Sequence, residues 1–359
     1  MSSQFDVVII GGGVLGLTTA FHLARRRIPT LVVERESSFG MHASGRNAGM
    51  IRQLYRHPKL TEWAKRSIAE WPVQVRNKAF RETGSFVAGR DIPDHHSEIF
   101  QQKESLISGA GTDNSVRGVY AAADGLLDPH TYISEIYSLI DKRFCRVAFS
   151  APVKNLSVDD SGWTVVTARG DRYQGKKVVN AAGAWVNDIL ASGHAARMQP
   201  VLPYSRHLFM IHGWEDGFMP VPQVGFYWDE SGNWYMRQWD ARTRLVSVCD
   251  EISSSPEHYT PDPSIGREIA AKLLEALPGI ADSLSLGRSW HCFRSYTPDR
   301  LPIVGPDPKL LNFFWLAAFG GFGMSTSYAA SADAAAYIAG EKVELEPDFL
   351  PRASNTNGA

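Results

Sequence analysis

Val7-Val8-Ile9-Ile10-Gly11-Gly12-Gly13-Val14-Leu15-Gly16-Leu17, followed by Thr30-Leu31-Val32-Val33-Glu34, is the stretch that decides the reading of this chain. Phe5 to Ile10 is apolar except for Asp6, the pattern of a strand buried on both faces of a parallel sheet. The glycine-rich turn Gly11–Gly16 comes next. Leu17, Ala20, Phe21, Leu23 and Ala24 then repeat at helical spacing up to Arg27, Pro29 stops the helix, and Thr30 to Glu34 is a second strand. Strand, tight turn, helix and strand in so short a span make a right-handed parallel unit. Its glycines have separable tasks. Gly11 permits the turn, Gly13 lets the backbone approach a pyrophosphate, and Gly16 lets helix and strand pack closely. The free N–H groups at the helix start favour an anion, and Glu34 is placed to accept hydrogen bonds from ribose hydroxyls. That acid disfavours a 2′-phosphate and hence NADP. The triplet by itself leaves NAD and FAD both open.

Composition sets the frame around this unit. The chain has 359 residues, 44% of them hydrophobic and 21% charged, with a net charge of −1. Such a balance is ordinary for a globular protein and argues against a large nucleic-acid footprint. The length suggests two domains. Cys145, Cys249 and Cys292 lie far apart and form no metal-binding or redox pair, which suits a reducing compartment. Met1 to Asp6 lacks the pattern of a cleavable leader, and no apolar run is long enough to span a bilayer. The expectation is a cytoplasmic protein without a transmembrane segment.

Further along, residues from about 80 to 145 mix short strands with a polar helix. Val153 to Val166 reads as two strands around Ser161-Gly162, and Lys176 to Ala182 as a further buried strand. Pro200 to about Trp290 is rich in aromatic and β-branched residues with turn signals such as Glu230-Ser231-Gly232-Asn233. That predicts an antiparallel sheet, then a helix at 265–277. The tail returns to strand (313–318), glycine turn (Gly320–Gly323) and helix (327–339). The predicted class is α/β with an α+β substrate domain: a Rossmann-type dinucleotide domain (1–80, 146–195 and 295–359) interleaved with an antiparallel-sheet substrate domain (81–145 and 196–294).

Three stretches then carry a resemblance. They are Val7–Glu34 running into His42-Ala43-Ser44-Gly45-Arg46-Asn47-Ala48-Gly49; Val178-Val179-Asn180-Ala181-Ala182-Gly183-Ala184-Trp185; and Phe293-Arg294-Ser295-Tyr296-Thr297-Pro298-Asp299 to Gly305, with Ala318-Phe319-Gly320-Gly321-Phe322-Gly323-Met324-Ser325-Thr326. In this order and over nearly the whole chain they resemble the D-amino-acid oxidase (DAO) family of FAD-dependent oxidoreductases. Within it they are most similar to D-amino-acid and D-arginine dehydrogenases, with sarcosine and glycine oxidases further away.

The resemblance implies FAD as cofactor and places residues around it. Gly11, Gly13, Val14, Leu15, Gly16, Glu34 and Arg35 would serve the adenosine and pyrophosphate, with Val153 pairing its backbone with the adenine. Ala181, Ala182, Gly183 and Trp185 would pack near the pyrophosphate. Ser44, Gly45, Arg46, Asn47, Ala48, Gly49 and Met50 would pass over the isoalloxazine ring. Gly320, Gly321, Phe322, Gly323, Met324 and Ser325 would open the last helix under the flavin edge, where its amides stabilise negative charge. Arg294 would grip the substrate carboxylate, as a planar guanidinium suits. Arg52 matches a carboxylate-binding arginine of sarcosine oxidases, Tyr55 a lid tyrosine, and Tyr235 a carboxylate-binding tyrosine; Tyr227 is a further candidate. Cys292 has the spacing of the cysteine that bonds flavin covalently in sarcosine oxidases, against the ordinary role of a buried small hydrophobe.

The implied reaction is oxidative deamination of an amino acid by hydride transfer to flavin N5, giving an imine that hydrolyses to a 2-oxo acid and ammonia. Three departures shape the expectation. Ser85 stands where the D-arginine enzyme has a glutamate, favouring a D-amino acid with a neutral side chain. Met50 stands where that enzyme has a histidine, with His42 elsewhere in the loop. The strand Arg244-Leu245-Val246-Ser247-Val248 lacks the lysine with which sarcosine-type oxidases activate oxygen, favouring a dehydrogenase. Its partners would be a small amino acid or amine and an electron acceptor: a quinone, a carrier or O2. The alternatives are an N-methyl or secondary amine oxidase, sarcosine- or proline-like, with flavin bonded to Cys292; a flavoprotein module acting on tRNA; and a plain NAD-binding protein.

Overall fold

A computed structural model of the chain describes residues 4–92, 100–106, 115–191, 200–253, 255–257, 260–279 and 283–352. The reading of Met1–Ser3, and the parts of the proposed domains at 93–99, 107–114, 192–199, 254, 258–259, 280–282 and 353–359, lie outside the described residues. The first strand, Gln4–Ile10, sits inside a sheet of eight strands. Thr30–Val33 pairs parallel to it on one side and Arg172–Asn180 on the other. Cys145–Ala148 extends the parallel set beyond Thr30–Val33, and Phe313–Ala317 lies parallel to the end of Arg172–Asn180. Val7, Val8, Ile9 and Ile10 are all buried, which is why the run shows no polar alternation.

The first helix runs from Val14 to Arg25, starting a turn earlier than its apolar spacing suggests, because Val14 and Leu15 belong to the glycine turn in sequence and to the helix in space. The C-terminal helix likewise begins at Gly323 and ends at Ile338, ahead of the expected start at Ser327. These two helices pack together under the sheet, and the Thr18 hydroxyl lies 2.8 Å from that of Ser331. Gly16 permits the close approach: a Cβ there would fall 2.0 Å from the Gly11 carbonyl oxygen. Helix Pro129–Leu139 sends Tyr132, Ile133 and Ile136 into this same core, so part of 81–145 lies with the dinucleotide half.

The second sheet has nine strands, and its long pair Leu202–His212 and Ser285–Tyr296 runs antiparallel over nearly its full length. The sheet draws on more of the chain than 200–290. Ser85–Ala88 joins it through a parallel pairing with Phe226–Asp229, bringing Ser115–Ala121 and Gln101–Leu106 with it. Helix Pro263–Ala276 covers one face, with Asp262 capping its N-terminus. Among the described residues no helix is long and apolar enough to cross a membrane.

Candidate active site

Two cavities meet where the sheets face each other, sharing Gly13, Ser44, Ala181 and Gly183 in their walls. One, of about 310 Å³, begins at Glu34 and runs between Ile10–Gly11, Val153 and Trp185. The other, of about 140 Å³, continues past the loop 43–50 to Arg294, Arg52 and the turn Gly320–Gly323. Together they form a trough from the end of the second strand to the start of the C-terminal helix.

At the Glu34 end the backbone is tightly constrained. Gly11 has φ +104°, and a Cβ on it would sit 2.5 Å from the Ala181 carbonyl oxygen. Glu34 is buried; its Oε2 accepts from the Gly12 N–H at 2.6 Å and its Oε1 from the Glu36 N–H at 2.8 Å. Burial pushes its carboxyl above the usual range, opposed by those two amide donors. Gly12, which the fingerprint passes over, is required here: a Cβ would meet the Phe39 ring at 2.5 Å and Glu34 Oε2 at 2.8 Å. Arg35 lies 4.5 Å over the Trp185 ring, and Trp185 Nε1 donates to Glu257 at 2.9 Å. His42 packs against the same ring and bonds Glu36.

The middle of the trough is the loop 43–50. Ser44 Oγ accepts from the Val14 N–H at the start of the first helix at 2.9 Å. Asn47 ties the loop to itself, donating to the Ala43 and Ser44 carbonyls and accepting from the Gly49 N–H. From outside, Arg237 donates to the Ala48 carbonyl at 2.6 Å, Trp290 to the Arg46 carbonyl at 2.7 Å, and the Leu127 N–H to the Gly49 carbonyl at 2.7 Å. The loop is therefore held by the second sheet, while its inner face lines the trough. Gly45 and Arg46 face away, into a separate groove with Trp239 and Trp290.

At the far end, Arg294 projects from the strand Ser285–Tyr296 against the glycine turn. Gly321 makes the room, since a Cβ on it would lie 2.8 Å from Arg294 Nη1. Gly320 has φ +44° and presses on the Tyr296 ring. Arg52 enters from the other side, its guanidinium 4.0 Å from the Trp228 ring and 5.0 Å from that of Tyr55. Its backbone N–H donates to Ser325 Oγ at 3.2 Å, which joins the loop to the C-terminal helix. Cys292, Phe293, Gly323, Met324 and Met50 complete the wall.

Thus the structure gathers Gly11, Gly13, Val14, Leu15, Glu34, Arg35, Ser44, Asn47, Ala48, Gly49, Met50, Val153, Ala181, Ala182, Gly183, Trp185, Cys292, Gly320, Gly321, Gly323, Met324, Arg294 and Arg52 along one trough. Gly16, Phe322 and Ser325 support it from behind. Tyr55 and Tyr235 stand one layer back from the wall. Tyr55 packs on Arg52 and Phe322, while Tyr235 is fully buried with its hydroxyl unpartnered among the described residues. Tyr227 belongs to the apolar core of the second sheet, stacked on Phe86. Ser85 does not reach the trough: its hydroxyl donates to Asp124 Oδ2 at 2.6 Å, deep in the protein. The expectation of a neutral substrate side chain, drawn from Ser85, therefore has no wall residue behind it. Trp228 and Gly12 are wall or turn residues that the motifs omit.

Asp124 is buried and also accepts from the Gln53 N–H at 3.0 Å, anchoring the backbone next to Arg52. Burial pushes its carboxyl up to about 6, against the pull of Ser85 and Arg52. Its native pKa thus exceeds its unfolded one, so the native state binds the extra proton. The associated stability is present below pH ~4 and is lost as pH rises through about 6, by ~3 kcal/mol. Asp124→Asn cannot ionise, and its amide can donate to the Ser85 oxygen in place of the present bond. Its urea midpoint is expected to gain on that of the unmodified protein between pH 4.5 and 7.5; a difference constant with pH would refute the assignment.

The wall residues fit a long dinucleotide with an electron-accepting ring. Glycines stand where backbone or side chains crowd the trough at Gly11, Gly320 and Gly321, helix starts border it at two points, and a buried acid marks one end. The comparisons agree. The family model described as DAO, FAD dependent oxidoreductase, matches residues 6–338. Monomeric sarcosine oxidase of Bacillus sp. strain NS-129 is 24% identical over 362 residues, covering 91% of each chain. Glycine oxidase of Pseudomonas aeruginosa is 26% identical over 335 residues, 86% of this chain and 88% of that one. Among solved structures, L-proline dehydrogenase from P. horikoshii superposes with a TM-score of 0.82 at 21% identity, covering 95% of both chains.

Proposed function

This chain belongs to the DAO family of FAD-dependent oxidoreductases, and on that premise we propose that it oxidises the C–N bond of a small amino acid whose carboxylate is held by Arg294. It is an enzyme of amine or amino-acid oxidation and its cofactor is FAD. The observation that carries the finer reading is Arg294 itself, a guanidinium on the wall of a trough whose substrate end, among the described residues, is lined by no acid. The proposal includes the division of the chain into a dinucleotide half (1–80, 146–195, 295–359) and a substrate half (81–145, 196–294), with the helix Pro129–Leu139 of the latter packed in the core of the former. It also includes the roles given above to the trough residues.

FAD supplies the two-electron acceptor when bound. The protein's own contribution is to orient the substrate. Arg294 fixes the carboxylate, and the loop 43–50 and Trp228 close the wall around the α-carbon. The α-hydrogen leaves with both C–H electrons, the C–N bond becomes an imine, and water splits the imine into a 2-oxo acid and ammonia or an amine. Among the described residues, the wall at this end has no His, Lys, Asp or Glu to take a proton from the substrate. The amine must therefore arrive neutral, its proton lost to solvent, and the two arginines disfavour an ammonium beside them. The rate of anaerobic flavin bleaching is expected to rise about tenfold per pH unit below the pKa of the substrate amine and then level off. A flat profile would point to a wall base that the structure does not show.

The deciding experiment is anaerobic mixing of the yellow protein with D-, L- and N-substituted amino acids. Bleaching by neutral D-amino acids supports the D-amino-acid dehydrogenase reading, and bleaching by sarcosine or proline supports the secondary-amine reading. The second is favoured by the position of Cys292 on the trough wall, where a covalent flavin would keep its colour after acid precipitation. Readmitting air separates O2 from a quinone or carrier as the acceptor. If dithionite reduces the flavin and no amino acid or amine does, the reading is wrong.

A further inference from the structure

The loop 43–50 has two faces. Its inner face lines the trough, and behind its outer face lies a solvent-open groove of about 880 Å³. Asn47 stands in both walls, so the two spaces are separated by one backbone layer, about 5 Å. The groove is cationic, although the whole chain carries a net charge of −1. Arg46, Lys78, Arg81, Arg237 and Arg288 line it. Asp128 is its one acid among the described residues, and that carboxylate already accepts from the Thr131 N–H at a helix start. Lys78 is paired with Glu135 at 2.7 Å, whereas Arg81 and Arg288 are exposed and form no ion pair among the described residues. Flat apolar surface accompanies the charge. Trp239 and Trp290 stand 6.3 Å apart, edge to face, with the Arg237 guanidinium 5.0 Å from the half-exposed Trp239 ring. Indoles of this kind stack on a ring, and guanidinium groups beside them take its negative substituent. Arg237 and Trp290 are also the side chains that hold the loop backbone at Ala48 and Arg46, so the groove and the flavin-facing wall share their support.

We propose that this groove receives the compound that reoxidises the flavin, and that the compound is a planar aromatic two-electron acceptor bearing a negative group, such as an anionic quinone. The inference rests on FAD in the trough and not on the amino-acid reading. Two electrons pass from the reduced flavin across the loop to the quinone. The flavin N5 proton is released to solvent, and the quinone takes up two protons from solvent to become the hydroquinone. Trp239 and Trp290 stack on the ring, while Arg81 and Arg288 draw in its charge.

The test needs no amine. The flavin-loaded protein is reduced with one equivalent of dithionite and mixed anaerobically with 1,4-naphthoquinone-2-sulfonate or with its neutral counterpart 2-methyl-1,4-naphthoquinone, and the return of the yellow colour is timed. The variants are Trp239→Ala and the double change Arg81→Glu with Arg288→Glu, all at exposed positions. In the double variant the rate with the sulfonate is expected to fall about 10-fold or more, and the rate with the neutral quinone less than about twofold. Trp239→Ala should slow both quinones, and salt should slow only the sulfonate. Calorimetric titration of the oxidised protein with naphthalene-2-sulfonate gives a second readout, with binding expected to weaken about 10-fold in the double variant. A sulfonate rate and affinity unchanged by the double variant overturn the inference, as does equal slowing of both quinones by it, since the loop itself would then have been disturbed. Reoxidation by dioxygen that outruns both quinones at equal concentration also overturns it. None of these results touches the amino-acid reading, which fails separately if no amine bleaches the flavin.

Discussion

Replacing Arg294 by methionine is expected to lower kcat/KM for the best amino-acid substrate by about 10²–10³-fold, the equivalent of ~3–4 kcal/mol. Methionine keeps most of the side-chain length, so the strand Ser285–Tyr296 and the glycine turn should retain their packing. What disappears is the cation. Its loss leaves the substrate carboxylate buried without a partner, and it frees the α-carbon from its fixed position. Both KM and kcat should therefore worsen, because the same contact binds and orients. Arg294→Lys keeps a charge without the planar fork and should fall between the two. Flavin content and the unfolding midpoint provide the control. A variant that keeps its flavin and loses less than tenfold in kcat/KM would remove Arg294 from the site.

The second large effect concerns Gly11. An alanine there must adopt φ +104° and place its Cβ 2.5 Å from the Ala181 oxygen and 2.9 Å from the Ala181 carbonyl carbon. Neither strand can yield, because the Ala181 N–H donates to the Ile10 carbonyl at 2.9 Å and locks the two strand ends together. The strain and the clash together cost about 3 kcal/mol or more, and the distortion falls where the dinucleotide backbone must approach. Gly11→Ala is expected to purify colourless, or to bind added FAD at least about 100-fold more weakly. Gly170→Ala is the matched control. Gly170 also has positive φ, +88°, but nothing lies within 4 Å of its would-be Cβ. That variant should lose only ~1 kcal/mol of stability and stay yellow. If both variants behave alike, backbone strain alone accounts for the Gly11 effect and the close approach to Ala181 does not matter.

The contrast between these two glycines shows which parts of the molecule can be read from its sequence. Gly11, Gly13, Gly16 and Glu34 are spaced by the geometry of one strand–turn–helix unit, a local constraint, so their pattern survives in the linear chain. The Val7–Ile10 run likewise shows directly that both faces of its strand are covered. Gly12 is different: it is required by Phe39 and by the Glu34 carboxylate, contacts that exist only after folding. Trp228 approaches Arg52 from a strand of the other sheet, and Asp124 reaches Gln53 and Ser85 from a turn between strands. No spacing rule links those positions. Ser85 shows the converse hazard, since its place beside a substrate-binding position in the alignment of motifs says nothing about the direction in which its hydroxyl points.

The two helices that meet at Thr18 and Ser331 are separated by some 300 residues of chain, and the second sheet is built almost entirely between them. During synthesis the glycine turn leaves the ribosome long before the helix that completes its core. At a few to some twenty residues per second, the first strand and helix wait on the order of tens of seconds with Leu17, Phe21 and the strand faces uncovered. The nucleotide half cannot close as an early unit, and the cofactor can be captured only after the last helix arrives. Such a chain has high contact order, so slow collapse and chaperone engagement are expected of it, and a supply of FAD late in folding should raise the yield of native protein more than the same supply early.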